Sequence, residues 1–402
     1  MTTRWPARLL RGAGGAAMAA LAALIYAALI HRFLGDPARH VNRMALFWTW
    51  SRYVHSGLPV AGIYDPQVLF AFEFFRVSPR VEYLPFAYPP TLLFLLWPLA
   101  ALPARWGIGV WVGGGGAAFL AASWQRRAPV ASAFLALAAP ATLAALFYGQ
   151  VSLLVAACLI GGWRLVPRHP VLAGVLFALA AVKPQFGLLV PVALLAARQY
   201  RCLAAAALTL AAEVLASGAV FGFGLWARLP AAMGGLAHFV AGFPDLARYD
   251  PSVTPLLRLA GLPAPWPQLV QVLVALLVGG IVWRVFRRGI HPLGIAALLA
   301  GTYLVTPYAV FYDLPLAGYA VSLLLTDRAA PAGPGTLAVA GLVLFLPVAL
   351  QFNPLPVAWG VVGPAMLFVL ILKRIRTAPR SALPHPAGSP PPPAPAAAPA
   401  WS

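Results

Sequence analysis

Charge is scarce in this sequence. Only 9% of its 402 residues are Asp, Glu, Lys or Arg, and 61% are hydrophobic. An average soluble domain carries about 25% charged residues, so a soluble globular protein is excluded. Cysteine is scarcer still. Cys158 and Cys202 stand alone, both inside apolar stretches, which excludes a disulfide-built secreted domain and predicts two buried free thiols. The 7 histidines show no metal-ligand spacing. Gly-x-Ser-x-Gly, His-Glu-x-x-His and Cys-x-x-Cys are all missing, so hydrolase, zinc-protease and redox chemistry lack support, and no metal or cofactor is expected. Lysine occurs twice, as Lys183 and Lys373, and acids number 9.

What is abundant is apolar sequence broken by 41 prolines and 36 glycines without a period, which excludes a collagen-like chain. The 28 basic residues fall in small clusters between apolar runs. That is the pattern of cytoplasmic loops, not of a nucleic-acid surface, and no nucleic-acid partner is expected. The chain reads as an all-α polytopic membrane protein with about 11–13 transmembrane helices.

Arg4, Arg8 and Arg11 precede the first apolar run, 13–33, and no small-residue cleavage site follows it. Residues 1–12 are therefore read as a cytoplasmic N-terminus and the run as an uncleaved first span. The transmembrane domain extends over 13–376, with an extracytoplasmic first loop at 34–87 and a second at 224–267. Residues 377–402, rich in Pro and Ala, read as a disordered or polyproline tail. Arg126 and Arg127, Arg164 and Arg168, Arg198 and Arg201, Arg284 with Arg287 and Arg288, and Lys373 with Arg374 and Arg376 mark the cytoplasmic face. Tyr148-Gly149-Gln150, Lys183-Pro184-Gln185 and Thr306-Pro307-Tyr308 then face outward. Parity fails near 88–127, where Arg105 and the Arg126 pair cannot both be placed unless one early segment does not cross. The Gly113–Gly116 run, inside an apolar segment, is expected to serve close helix packing and not phosphate binding.

Charged groups inside apolar segments are costly and point to function. Lys183, Glu213, Asp313 and, at a membrane edge, Arg228 qualify. Lys183 precedes a proline that interrupts its helix and frees backbone groups, a setting suited to a lipid phosphate. Glu213, among Leu and Ala, is expected to pair with an arginine of another helix. In the first loop, Phe47, Trp48, Tyr53 and Val54 recur at helical spacing and predict an amphipathic helix on the outer membrane surface.

The order of motifs is more specific than any one of them. Phe86-Ala-Tyr-Pro-Pro is followed by Tyr148-Gly-Gln, Lys183-Pro-Gln-Phe-Gly, Pro251-Ser-Val-Thr-Pro-Leu-Leu-Arg258 and Thr306-Pro-Tyr-Ala-Val-Phe-Tyr-Asp313. Over about residues 13–375 the chain resembles glycosyltransferase family 87, which includes polyprenyl-phosphate-mannose-dependent alpha-mannosyltransferases of bacteria. The resemblance implies a GT-C membrane fold and a hexosyltransferase of the bacterial inner membrane. It also implies a polyprenyl-phosphate sugar donor and a cell-envelope lipid or glycan acceptor. Lys183 is expected to bind the donor with the motif residues Tyr88, Gln150, Gln185 and Arg258. Family members place an aspartate shortly before the aromatic pair that is here Phe47-Trp48, whereas this chain has Asn42-Arg43-Met44. Asp36 is the nearest upstream acid and the first candidate for the general base, with Asp65 and Asp313 as alternatives. A transporter or flippase for a lipid-linked substrate, and an inactive scaffold, are the competing readings.

Overall fold

The computed structural model describes residues 44–77, 84–241, 247–327, 331–351, 355 and 357–377. The N-terminus, the first expected span, Asp36 with Arg43, and the tail beyond residue 377 lie outside them. Every regular element among the described residues is helical. In chain order they are α1 (Leu46–Val54), α2 (Pro66–Phe72), α3 (Leu92–Leu96), α4 (Ala104–Ser123), α5 (Pro129–Leu137) and α6 (Pro140–Phe147). Then come α7 (Ser152–Leu165), α8 (Pro170–Leu179), α9 (Leu189–Ala196), α10 (Tyr200–Phe221), α11 (Gly224–Ala241) and α12 (Val253–Leu259). The last are α13 (Trp266–Phe286), α14 (Pro292–Val305), α15 (Pro315–Leu325), α16 (Pro334–Gln351) and α17 (Val362–Thr377).

Much of the proline is placed at starts. α2, α5, α6, α8, α14, α15 and α16 all open on Pro, where the missing N–H costs nothing and the fixed φ suits a helix. Among the described residues five stretches are long and apolar enough to cross a membrane: α4, Pro129–Phe147, α10, α13 and α16. Six shorter apolar helices of 10–17 residues accompany them. α14 is buried along nearly its whole length, while α10 and α13 expose Leu208, Leu273, Leu276 and Leu277 broadly. Helices apolar all round belong inside, and apolar outer faces belong against lipid. The protein is a multi-pass membrane protein.

Side-chain bonds give the bundle two chemically distinct ends. Arg164, closing α7, donates to the Trp124 carbonyl just past α4 at 2.9 Å. Gln125 then bonds Ser322 of α15 at 2.7 Å and accepts from Thr326 at 3.2 Å. Asp327 lies 3.6 Å from Arg374 of α17. The closing turns of α4, α7, α15 and α17 therefore meet at one end, which carries the arginine clusters. The start of α7 and the approach to α15 lie at the other.

The run 88–104 does not form a span. α3 continues as a 3-10 turn, Trp97–Ala101, for ten residues in all, or about 15 Å against a hydrocarbon core of about 30 Å. It packs instead beneath α1: Trp48 donates to the Leu102 carbonyl at 3.0 Å and Arg52 to the Ala100 carbonyl at 3.3 Å. The parity of the basic residues required one early segment not to cross without saying which, and this one is too short to do so.

Three expectations change. α1 is amphipathic, but its aromatic face is covered by protein and does not lie on the membrane surface. Phe47, Trp50 and Tyr53 are wholly buried, and Phe47 stacks on Trp111 of α4 at 4.7 Å. These partners, far along the chain, are invisible to helical spacing. The stretch 224–267 is not an open loop, since α11 and α12 occupy most of it. In the Gly113–Gly116 run, only Gly115 and Gly116 face a neighbouring helix. A Cβ at either would lie 3.7 Å from Leu154 or 3.2 Å from Leu146, whereas Gly113 and Gly114 face open space.

Candidate active site

Pro184 cannot continue α8, so the chain passes through two 3-10 turns, Ala180–Val182 and Pro184–Phe186, with Lys183 between them in a non-helical conformation. At the same bundle end, residues 306–310 leave α14 and enter a 3-10 turn, Phe311–Asp313, before Pro315 opens α15. Ser152 opens α7. These three breaks converge. Lys183 Nζ lies 2.5 Å from Asp313 Oδ1 and 3.1 Å from Ser152 Oγ, and Ser152 Oγ also donates to Asp313 Oδ1. The Val310 N–H donates to Asp313 Oδ2 at 3.1 Å, and the Tyr303 hydroxyl to the Asp313 carbonyl at 2.6 Å. Lys183 and Asp313 are almost completely removed from solvent. A buried pair holds together only when further hydrogen bonds satisfy the remaining atoms, and here they do. The ammonium also faces the rings of Tyr312 at 5.4 Å and Phe186 at 5.9 Å, within cation–π range.

The Tyr148-Gly149-Gln150 turn forms one wall. The Tyr148 ring lies 5.7 Å from Tyr312 and 5.4 Å from Phe311. Gly149 has φ +57, and a Cβ there would lie 2.9 Å from Met44 Cα, so only glycine fits between the turn and the start of α1. Trp111 fixes the Gly149 carbonyl at 2.8 Å. Tyr88 donates to Gln150 Oε1 at 3.4 Å, and its own carbonyl accepts from Tyr64 at 2.6 Å. First-loop residues and the turn are thus tied together by hydrogen bonds, two residues before Ser152.

Two further carboxyls are buried, Asp250 beside this cluster and Glu73 against α1. Asp250 Oδ1 accepts the N–H groups of Ser252 at 2.9 Å and Ala309 at 3.2 Å, and burial pushes its carboxyl up to about 8. Asp250 and Asp313 both lie close enough to act electrostatically on Tyr308. Glu73 Oε1 accepts from Trp50 Nε1 at 3.0 Å, its Oε2 has no hydrogen-bond partner among the described residues, and burial pushes this carboxyl also up to about 8.

The expected site residues therefore divide. Lys183, Asp313, Gln150 and Tyr88 belong to one connected region. Gln185 is half-buried in the 3-10 turn beside Lys183. Arg258 is exposed near the end of α12, its guanidinium 2.9 Å from the Gln268 amide once that amide is oriented to accept. Asp65 is exposed and caps α2, with Oδ1 accepting from Gln67 N at 2.9 Å and Val68 N at 3.2 Å. Asp36 lies outside the described residues. Among the described residues Glu213 has no arginine paired with it, contrary to expectation. Its Oε1 has no hydrogen-bond partner, and no basic side chain among the described residues forms an ion pair with it. Its carboxyl lies instead near Cys158 of α7, where no described arginine comes within ion-pair distance. Arg228 is exposed on α11. Cys158 and Cys202 are both free thiols.

Ser152, Tyr312 and Asp250 were not singled out by sequence. Ser152 sits two residues after Gln150 in a motif already marked, and Asp250 immediately precedes the Pro251-Ser-Val-Thr-Pro stretch. A polar residue beside an interrupted apolar run was the available signal in both cases.

The family model of glycosyltransferase family 87 matches residues 86–309, more than half of the chain. The chain belongs to glycosyltransferase family 87. The matched region holds Tyr88, Gln150, Ser152, Lys183, Gln185, Asp250 and Arg258, and stops just short of Asp313. No curated protein matches the chain, and no solved structure does.

Proposed function

We propose that this glycosyltransferase moves a hexose, mannose in the first instance, from a polyprenyl-phosphate donor to a lipid or glycan acceptor of the cell envelope. In this reading the fold is of GT-C type, the arginine-rich end faces the cytoplasm of a bacterial inner membrane, and the Lys183–Asp313 end faces outward. The observation that carries it is the buried Lys183–Asp313–Ser152 cluster, set at three helix breaks in a chain of this family.

Donor phosphate enters beside Lys183, and the ammonium shifts from Asp313 toward the phosphate oxygens. As the bond from the anomeric carbon to the phosphate oxygen breaks, negative charge grows on the leaving polyprenyl phosphate, and Lys183 neutralises it. The acceptor oxygen bonds to the anomeric carbon and gives its proton to a carboxylate. Asp313, held against an ammonium, is a weakened base. Its work is to keep Lys183 charged and aimed. Asp65 is committed to the start of α2, so Asp36 in the first loop takes the proton. Tyr88, Gln150 and Gln185 line the donor's path, and Arg258 guides its phosphate from outside.

The test is incubation of the purified protein with labelled polyprenyl-phosphate mannose and a membrane-lipid acceptor pool. Label is expected to pass to lipid, and Lys183→Met together with Asp313→Asn, which removes both charges at once, is expected to weaken donor binding by tenfold to a hundredfold, the loss of roughly 1.5–3 kcal/mol. Absence of transfer from any polyprenyl-phosphate sugar, with donor affinity unchanged in the double variant, overturns the reading.

A further inference from the structure

A second polar constellation lies at the opposite, arginine-rich end. Where α15 ends, α16 begins and α17 ends, a cavity of about 150 Å³ is lined by Leu324, Thr336, Leu370, Lys373, Arg374 and Thr377. Its volume admits several waters or one tetrahedral oxyanion. The lining is chemically asymmetric. Arg374 is held near Asp327 at 3.6 Å and donates to the Pro331 carbonyl at 3.1 Å. Lys373 has no acidic partner among the described residues, and the Thr336 hydroxyl makes no hydrogen bond among them. Thr377 turns its hydroxyl to the Lys373 and Arg374 carbonyls at 3.2 Å. Among the described residues one acid thus faces two cations, which leaves the lining with a net positive charge. Leu324 and Leu370 form an apolar side. Two of the three helices, α16 and α17, are apolar along most of their length, so their ends reach the depth at which lipid headgroups lie.

We propose that this cavity binds a phosphate oxyanion carried by an anionic membrane lipid, with Lys373 and Arg374 on its charge, Thr336 donating to an oxygen, and the two leucines against its ester carbons. The site is separate from the Lys183–Asp313 cluster and does not depend on the activity proposed for it. A polybasic rim alone attracts anionic lipid only diffusely. A cavity with a hydroxyl and an apolar wall selects one headgroup and holds it in a fixed place.

The test uses the full-length protein purified in detergent and three probes: phosphatidylglycerol, phosphatidylcholine and inorganic phosphate. Retained lipid is counted by native mass spectrometry and thermal unfolding is followed in parallel. Phosphatidylglycerol is expected to stay bound and to raise the unfolding temperature, phosphatidylcholine to do neither, and Lys373→Gln to weaken the retention about tenfold. Lys373 is exposed, so this variant is expected to fold, and Thr336→Val provides a second, uncharged probe of the same cavity. Stabilisation by inorganic phosphate alone, lost in Lys373→Gln, would keep the oxyanion site and assign it to a free phosphate. Equal retention of both lipids, or unchanged phosphatidylglycerol binding in both variants, overturns the proposal.

Discussion

Lys183 precedes Asp313 by 130 residues and lies 2.5 Å from it. One residue comes from a helix broken by proline and the other from a turn that introduces the next helix. Each break removes a few backbone hydrogen bonds from a region with little water, and the polar side chains gathered there satisfy what is freed.

The pair is expected to show strong coupling in stability. Lys183→Met alone leaves the Asp313 carboxylate buried beside Ser152, and Asp313→Asn alone leaves the ammonium without its counter-ion. Removing one partner of such a pair costs about 3–5 kcal/mol, whereas removing both is often nearly neutral. Thermal unfolding of the two single variants and the double variant checks this. Additive losses would show that the two charges do not depend on one another.

Asp250 makes stability depend on pH in a definite direction. Its folded carboxyl is raised to about 8 from 3.8, so the folded protein holds a proton that the unfolded chain releases. Stability from this group is intact below the unfolded value and is lost progressively as pH rises toward about 8. Asp250→Asn keeps an oxygen for the Ser252 and Ala309 amides but has no proton to lose. The variant is expected to gain on the natural protein between pH 5 and 8 in unfolding midpoints, by about 1 kcal/mol or more. A constant offset across that range would remove Asp250 from the account. Glu73, raised in the same sense, adds a separate slope that both proteins share.

Gly149→Ala places a Cβ 2.9 Å from Met44 Cα at a positive φ. A loss of about 1–3 kcal/mol is expected, together with slower transfer, because the same turn carries Gln150 and leads into Ser152. Unfolding midpoints and initial rates measure the two effects separately.

The glycines of the membrane helices are expected to divide by their surroundings. At Gly174 a Cβ would lie 2.5 Å from the Cys202 carbonyl and 2.7 Å from Ala205, so Gly174→Ala is expected to force α8 and α10 apart and lower the unfolding midpoint. At Gly113 nothing lies within 4 Å, and Gly113→Ala is expected to be neutral or to stabilise α4 by up to about 1 kcal/mol. Equal effects at the two positions would contradict the helix packing described.

Much of this arrangement could be read before any coordinates. Apolar runs interrupted by proline and glycine, and arginine clusters between them, announced the helices, and the parity of those clusters implied that one early segment stays on its own side. Lys183 and Asp313 drew notice because each is a charge at an interruption of apolar sequence. Their contact was not legible, since a pairing across 130 residues leaves no periodic trace. The surroundings of α1 were not legible for a related reason: helical spacing of Phe47, Trp48, Tyr53 and Val54 says that one face is apolar, but not whether lipid or Trp111 covers it. Glu213 invited an ion pair because charge in a span is costly, yet partner availability depends on which way α10 faces.

The ten-residue helix at 92–101 also bears on how the chain enters the membrane during synthesis. A segment that short is a poor stop signal on its own, so the first stop after the first loop is α4, entered through Pro103. In the proposed orientation the stretch from α1 to Leu102 stays on the outer side, where Trp48 and Arg52 hold the carbonyls of Leu102 and Ala100. Lengthening the apolar stretch by eight leucines would give the ribosome-bound chain a span at that point and reverse the orientation of the helices that follow, a change readable by glycosylation-site or cysteine-labelling reporters.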